Sequence, residues 1–189
     1  MKRLFLAATL AALSAGALQG CVTAHANGHA VVADATPDNH LHIVVVPPTW
    51  EPATGAKGTL RSTDRHSATL FPALAARLPL DFKANGVDAD AVLLEPGMPL
   101  PAPGAVRTLV IRAAQAGEIT YNGGTWMDLS LTLNDAAHGA LWTGSVRLSS
   151  GTPNISYDAG AVDHAAIPLM EQLRDAKLID ISWRRPTTP

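Results

Sequence analysis

The strongest constraint on this chain is the pair of runs "TWMDLSLTLND" and "ALWTGSVRLSS" (125–135 and 140–150), joined by a short turn around "AAHG". In the first run Met127, Leu129, Leu131 and Leu133 point one way, and Trp126, Asp128, Ser130 and Thr132 the other. In the second, Trp142, Gly144, Val146 and Leu148 share a face. A period of two puts alternate side chains on opposite faces of a pleated strand. Two such runs around a tight turn predict an antiparallel hairpin in a sheet with one side covered. A fold built only of helices is thereby excluded.

The remaining elements arrange themselves around that hairpin. "LHIVVVPP" (41–48) is β-branched and stopped by two prolines, which predicts a buried strand. "TWEPATGAKGTLRSTDRH" (49–66) reads as a loop rich in turn residues. Leu70, Leu74, Leu78 and Phe82, with Phe71 and Ala75 beside them, form one face of an amphipathic helix. Pro72 suits its first turn, whereas Pro79 removes an interior hydrogen bond and predicts a kink or two short helices. Asn85-Gly86 ends it. "ADAVLLEP" (89–96) and "RTLVIRAA" (107–114) predict further strands, separated by a stiff connector holding Pro96, Pro99, Pro101 and Pro103. Val162, Ala166, Leu169, Leu173 and Ala176 mark a second amphipathic helix, bent or opened by Pro168. "LIDISW" (178–183) alternates as a last strand would. The expected class is α+β: a mostly antiparallel sheet with two amphipathic helices packed on one face.

The first twenty residues belong to something else. Lys2 and Arg3 precede an uncharged stretch, Leu4 to Leu18, which is short for a membrane span and has the form of a secretory signal. It runs through Gln19 and Gly20 into Cys21, the one cysteine among 189 residues. "LQGC" resembles the lipobox of bacterial lipoproteins, with Gln19 in place of the usual small or hydroxyl residue. That resemblance implies cleavage between Gly20 and Cys21, a diacylglyceryl thioether on the Cys21 sulfur and acylation of the new amino terminus. Each buried methylene adds roughly 0.8 kcal/mol, so several chains anchor stably. Val22, where an inner-membrane lipoprotein would carry Asp, implies the outer membrane.

Composition narrows the partners. Removal of residues 1–20 leaves 12 basic against 16 acidic residues, a net charge of −4. No basic field is left to recruit nucleic acid or anionic headgroups. Charged residues make up 16% of the chain, and the 29 glycines and prolines match a small domain with punctuated loops. The expected organisation is a lipoprotein signal over 1–20, the lipidated cysteine and a flexible tether over 21–40, one domain over 41–184 and a tail over 185–189.

Candidate chemistry is sparse. His25, His29, His40 and His42 have spacings a metal could use, but no thiol or carboxylate cluster accompanies them in sequence, so they read as solvated and no metal or other cofactor is expected. Asp64 with His66 and Asp163 with His164 bring acid and base types close in sequence, and Ser149, Ser150, Thr152 and Ser156 offer hydroxyls. Gly-x-Ser-x-Gly and His-Glu-x-x-His are both missing from the sequence, and isolated acids and hydroxyls in turns are mostly caps. Of the four tryptophans, Trp142 falls on the apolar face. Trp126 and Trp50 are the candidate partner-binding anchors, since an amphipathic ring suits interfaces. Trp183 stands near the end of the chain.

The run "LTLNDAAHGALWTGSVRL", followed by a loop and an amphipathic helix, resembles the small α/β lipoproteins of bacterial envelope machines. These include the lipopolysaccharide-assembly lipoprotein that plugs an outer-membrane barrel and the auxiliary lipoproteins of ABC-type transporters. The resemblance covers about residues 105–180; the proline connector and the prolines within both helices depart from it. It implies a non-catalytic protein of the outer membrane, facing the periplasm, with an envelope protein as partner. A small-ligand or lipid carrier with a groove beside the 70–82 helix is the alternative, and a hydrolase the third reading.

Overall fold

The computed structural model describes residues 22–33, 35–48, 60–95, 98–102, 104–119, 123–151, 157 and 159–181. In chain order these form β1 (Val22–Ala30), β2 (His40–Val46), α1 (Leu60–Ala84), β3 (Asp88–Leu93), β4 (Arg107–Ile119), β5 (Gly124–Asp135), β6 (Gly139–Ser150) and α2 (Ala159–Asp175). The six strands make one sheet in the order β1-β6-β5-β4-β2-β3. The first three pairings are antiparallel, and β2 lies parallel to both β4 and β3. The protein is α+β, with a mixed, mostly antiparallel sheet and two helices.

The hairpin stands as its alternation predicts. Leu133 pairs with Trp142 and Met127 with Leu148, and Gly139 closes the turn at φ 72°, a conformation open to glycine without cost. Asp135 shapes the same turn: its Oδ1 accepts the amides of Ala137 at 2.6 Å and His138 at 3.2 Å.

Three expectations are corrected. Residues 22–30, expected within a flexible tether, are an edge strand paired along its whole length with β6, from Val22↔Ser150 to Ala30↔Trp142. Val22, Ala24 and Ala26 turn toward the core while Thr23, His25 and Asn27 face out, a period-two pattern whose alanines carry too little hydrophobic signal to announce it. Helix α1 begins at Leu60, inside the expected loop, and is a single helix holding Pro72 and Pro79. The burial of Leu70, Phe71, Leu74, Leu78 and Phe82 outweighs the hydrogen bonds the prolines remove. Residues 178–181 are not a strand. Ile179 and Ile181 are buried as the alternation predicts, but Asp180 pairs with a side chain: Asn39 accepts from the Asp180 amide at 2.8 Å and donates to its carbonyl at 2.7 Å.

The parallel strands explain the proline connector. A crossover between parallel strands is right-handed in almost every protein. From β2 to β3 the chain steps outward across the helix-bearing face, through α1. From β3 to β4 it steps back past β2, so the same hand requires passage over the opposite face. Leu100 of the connector lies there, lining one groove with Val110, Arg112, Ser130, Thr132 and Asn134. Val44 and Val110 are consequently buried although they point away from the helices.

On the helix face the core is continuous from Leu41 and Phe82 through Leu131 and Trp142 to Val162 and Leu173. Its tightest point is Trp142, whose ring lies across Gly144 of its own strand and Gly28 of β1; a Cβ at either glycine would collide with that ring. Gly28→Val is therefore expected to lower unfolding stability by about 2–3 kcal/mol, since overpacking a filled core forces side chains off their rotamers. A urea midpoint unchanged in this variant would show that the ring can move aside freely.

Candidate functional site

The outer face of the sheet divides into two parts. Over β2 and β4 the connector covers it. Over β1, β6 and the start of β5 it carries polar rows set by the strand register: Thr23 beside Ser149 and Trp126, His25 beside Arg147 and Asp128, Asn27 beside Ser145 and Ser130, His29 beside Thr143 and Thr132. The histidines, Thr23, Asn27, Ser145 and Arg147 are exposed. This is the surface where the sequence placed one of its candidate binding residues.

Trp126 is half-buried there, between two neighbours. On one side its ring lies over Gly117 of β4, close enough that a Cβ would come within 2.9 Å of it. On the other, the Arg147 guanidinium sits 4.6 Å from the ring centroid. Asp128 fixes that guanidinium by a two-pronged pair at 2.7 and 2.6 Å, which raises the already high Arg147 pKa. Trp126 is thus a stacked platform beneath a cation rather than a free anchor. Trp50, Trp183, Gly20 and Cys21 lie outside the described residues.

The histidines occupy separate places. His25 and His29 alternate along β1, and His29 Nε2 lies 3.3 Å from Thr143 Oγ1. His42 Nδ1 is 2.8 Å from Asp90 Oδ2 across β2 and β3, and His40 Nδ1 is 3.2 Å from Asp38 Oδ1. Among the described residues no three His, Cys, Asp or Glu side chains converge as metal ligands would.

The acid–base pairs of the sequence do not assemble a described nucleophile site. Asp64 and His66 fall within α1, where only the backbone is described, and Thr152 and Ser156 lie outside the described residues. Ser149 shares a 2.9 Å hydrogen bond with Thr23, and Ser150 is buried. Asp163 takes Arg77 at 2.6 Å, clasping α2 to α1. Asp81 competes for the same arginine from 3.6 Å, and its Oδ2 is buried with no donor facing it. Burial first, and the Asp163 carboxylate second, push Asp81 above the ordinary carboxylate range, with Arg77 pulling the other way.

The sign of that shift gives a prediction. A raised carboxylate pKa means the native state binds more protons than the unfolded chain, so the penalty is absent below about pH 4 and complete at neutrality. Asp81→Asn is expected to raise the melting temperature at pH 7 by about 2 °C, with the gain fading as the pH falls toward 4. A variant less stable than the parent at pH 7 would show that Arg77 outweighs the burial.

Three residues that the sequence did not single out brace the ends of the sheet, two of them at the end remote from Val22. Arg107, only 7% exposed, donates Nη1 to the Leu178 carbonyl at 2.9 Å and Nη2 to that of Thr36 at 2.7 Å, with Asp135 3.8 Å from its Nε. Asn39 bonds Gly86 and Asp180. At the other end, buried Tyr157 donates to the Thr125 carbonyl at 2.9 Å, and burial raises its phenol pKa. Nothing in the local sequence marks Arg107; its partners are 71 residues away on both sides. Arg107→Met is expected to cost about 3 kcal/mol, because hydrogen bonds to a charged donor contribute about 1.5–3 kcal/mol each. Denaturation that shifts by less than a third of this would mean solvent replaces the guanidinium.

The interface where a carrier would hold its ligand, between α1 and the sheet, is filled by Leu70, Leu74, Leu78 and Phe82, each at most 1% exposed. Comparison with known proteins adds little. No family model matches the chain, and no curated protein matches it. Among solved structures it is similar to a PelC dodecamer from Paraburkholderia phytofirmans bearing one leucine-to-methionine change, at a TM-score of 0.44 and 16% identity, over 84% of this chain and 100% of that one. A second crystal form of the PelC dodecamer aligns at 0.44 and 12% identity, with the same coverage. A likeness this remote carries no function across.

Proposed function

We propose that the protein is a bacterial outer-membrane lipoprotein, lipidated on Cys21 and facing the periplasm, that acts without catalysis as an accessory or binding subunit of an envelope assembly or transport system. The observation that carries the reading is "LQGC" at the close of a charged-then-apolar leader, with the sole cysteine at the lipid-accepting position. The thiol is the nucleophile that takes the diacylglycerol, and Gly20 gives the peptidase room.

The binding part of the reading is supported by the outer face. Its β1–β6 half exposes hydroxyl, amide and imidazole groups in register, with Arg147 stacked on Trp126 beside them. Such a surface can take hydrogen bonds from a protein partner at small ordering cost, because its side chains are short and already fixed by strand pairing.

Cys21→Ala is expected to accumulate uncleaved precursor, to abolish palmitate incorporation and to remove the protein from the outer-membrane fraction. Unchanged fractionation of that variant would overturn the anchor. For the binding part, crosslinking in cells followed by pull-down should recover one envelope protein in near-stoichiometric amount; recovery of lipid alone, or of nothing, would overturn it.

A further inference from the structure

Resting on that lipid-anchor reading, we infer that the domain docks directly on the bilayer surface by one end of its sheet, the end formed by Val22, Ser149–Gly151 and Gly123–Trp126. The argument is one of chain length. A lipoprotein stands off its membrane by the unstructured residues between its acylated cysteine and its first fixed element. Here that interval holds no residue: Val22 is already paired with Ser150 in the sheet, and it is bonded to Cys21. Across a trans peptide bond two Cα atoms are about 3.8 Å apart. The diacylglyceryl chains would therefore enter the membrane within one lipidated side chain's reach of the start of β1.

What else sits at that end follows from the register. Ser150 pairs with Val22 on one side and Thr125 on the other, and Trp126 pairs with both Ser149 and Gly117. Gly123 and Gly151 are exposed there. The surface nearest the anchor is small and hydroxylated, with one half-buried tryptophan under Arg147. Tryptophan and arginine are the side chains that suit a headgroup layer, apolar in the body and polar or charged at the tip. The one carboxylate close to Arg147, Asp128, is neutralised by it. Glu118 of β4 pairs with Thr125 at this end, and exposed Glu95 follows β3 on the far side of the sheet.

The other end carries charges of both signs. Asp38, Asp88, Asp135 and Asp180 gather where β2, β3 and β4 begin and β5 ends, with Arg107, Lys83 and Lys177 among them. β6 runs twelve residues from that end to the anchor end, about 40 Å at 3.4 Å per residue. The acyl chains hold the anchor end, so the domain stands with the other end toward the periplasm. A partner arriving from the periplasm meets that end and the polar face of β1 and β6, whereas Trp126 stands at the membrane edge of that face. The platform that the sequence offered to a protein is thereby assigned to the membrane.

The test uses the full lipidated protein reconstituted into vesicles of phosphatidylethanolamine and phosphatidylglycerol containing nitroxide-labelled lipid. Because the Cys21 thiol is consumed by the anchor, a fluorophore attaches only to an introduced cysteine. Gly151→Cys and Ala136→Cys place it at the two ends on exposed positions. The expected result is loss of most emission from the label at 151 and none from that at 136. A Gly/Ser spacer inserted between Cys21 and Val22 should abolish quenching at 151 while the protein stays on the vesicles. Equal quenching at both positions, or none at either, would overturn the docking and leave the anchor standing, and quenching at 151 that survives the spacer would overturn the short tether as its cause. A protein whose mass lacks the diacylglyceryl group and which does not bind the vesicles would overturn both.

Discussion

The fold depends on one close approach. Trp142 lies flat across two glycines, Gly144 in its own strand and Gly28 in β1, and no side chain could stand at either place without lifting the ring. The ring lies buried over β1 and β6, and its burial holds the edge strand to the sheet. Without Gly28 the strand would have to retreat, and the small residues Ala24 and Ala26 that let α2 pack close would lose their cover. The cost is visible: the indole Nε1 is buried with no hydrogen-bond partner. Such an orphan costs about 1–3 kcal/mol, so the packing around the ring must outweigh it.

A second constraint, the handedness of crossovers, distributes the two faces of the sheet. With α1 on one side between β2 and β3, the return past β2 to β4 is sent to the other side. Four prolines between 96 and 103 suit that path because an extended segment crosses it without needing internal hydrogen bonds. The connector covers β2 and β4 and leaves β1 and β6 open. The polar rows on the outer face are the part of the sheet that this topology does not roof.

How much of this was legible in the sequence depended on whether the signal was local. The 125–150 hairpin, the β2 strand and the faces of both helices were readable because each repeats an apolar residue at its own period. Residues 22–30 were not, because alanine alternating with threonine, histidine and asparagine looks like a linker until β6 is beside it. The start of α1 was hidden for the opposite reason: "RSTDRHSAT" lacks an apolar stripe, and nothing in it announces a helix. Arg107 and Asn39 act on backbone groups remote in sequence, so their roles exist only in the folded chain. At the candidate surface the alternation put Trp126 on the outward face correctly, but only the structure brought Gly117 and Arg147 to its two sides.

The misread strand changes what the anchor means. A flexible tether would decouple the domain from the membrane, and the outer face could then be offered in any direction. On the proposed lipid anchor, a strand that starts at the next residue would remove that freedom, because β1 is locked to β6 by nine register pairs and by the Trp142 ring. The interaction that closes the core would then also set the angle at which the protein meets a bilayer. Loss of Trp142 packing would loosen both together: an edge strand peeled from β6 is a nine-residue tether, and the domain would stand away from the surface while still anchored.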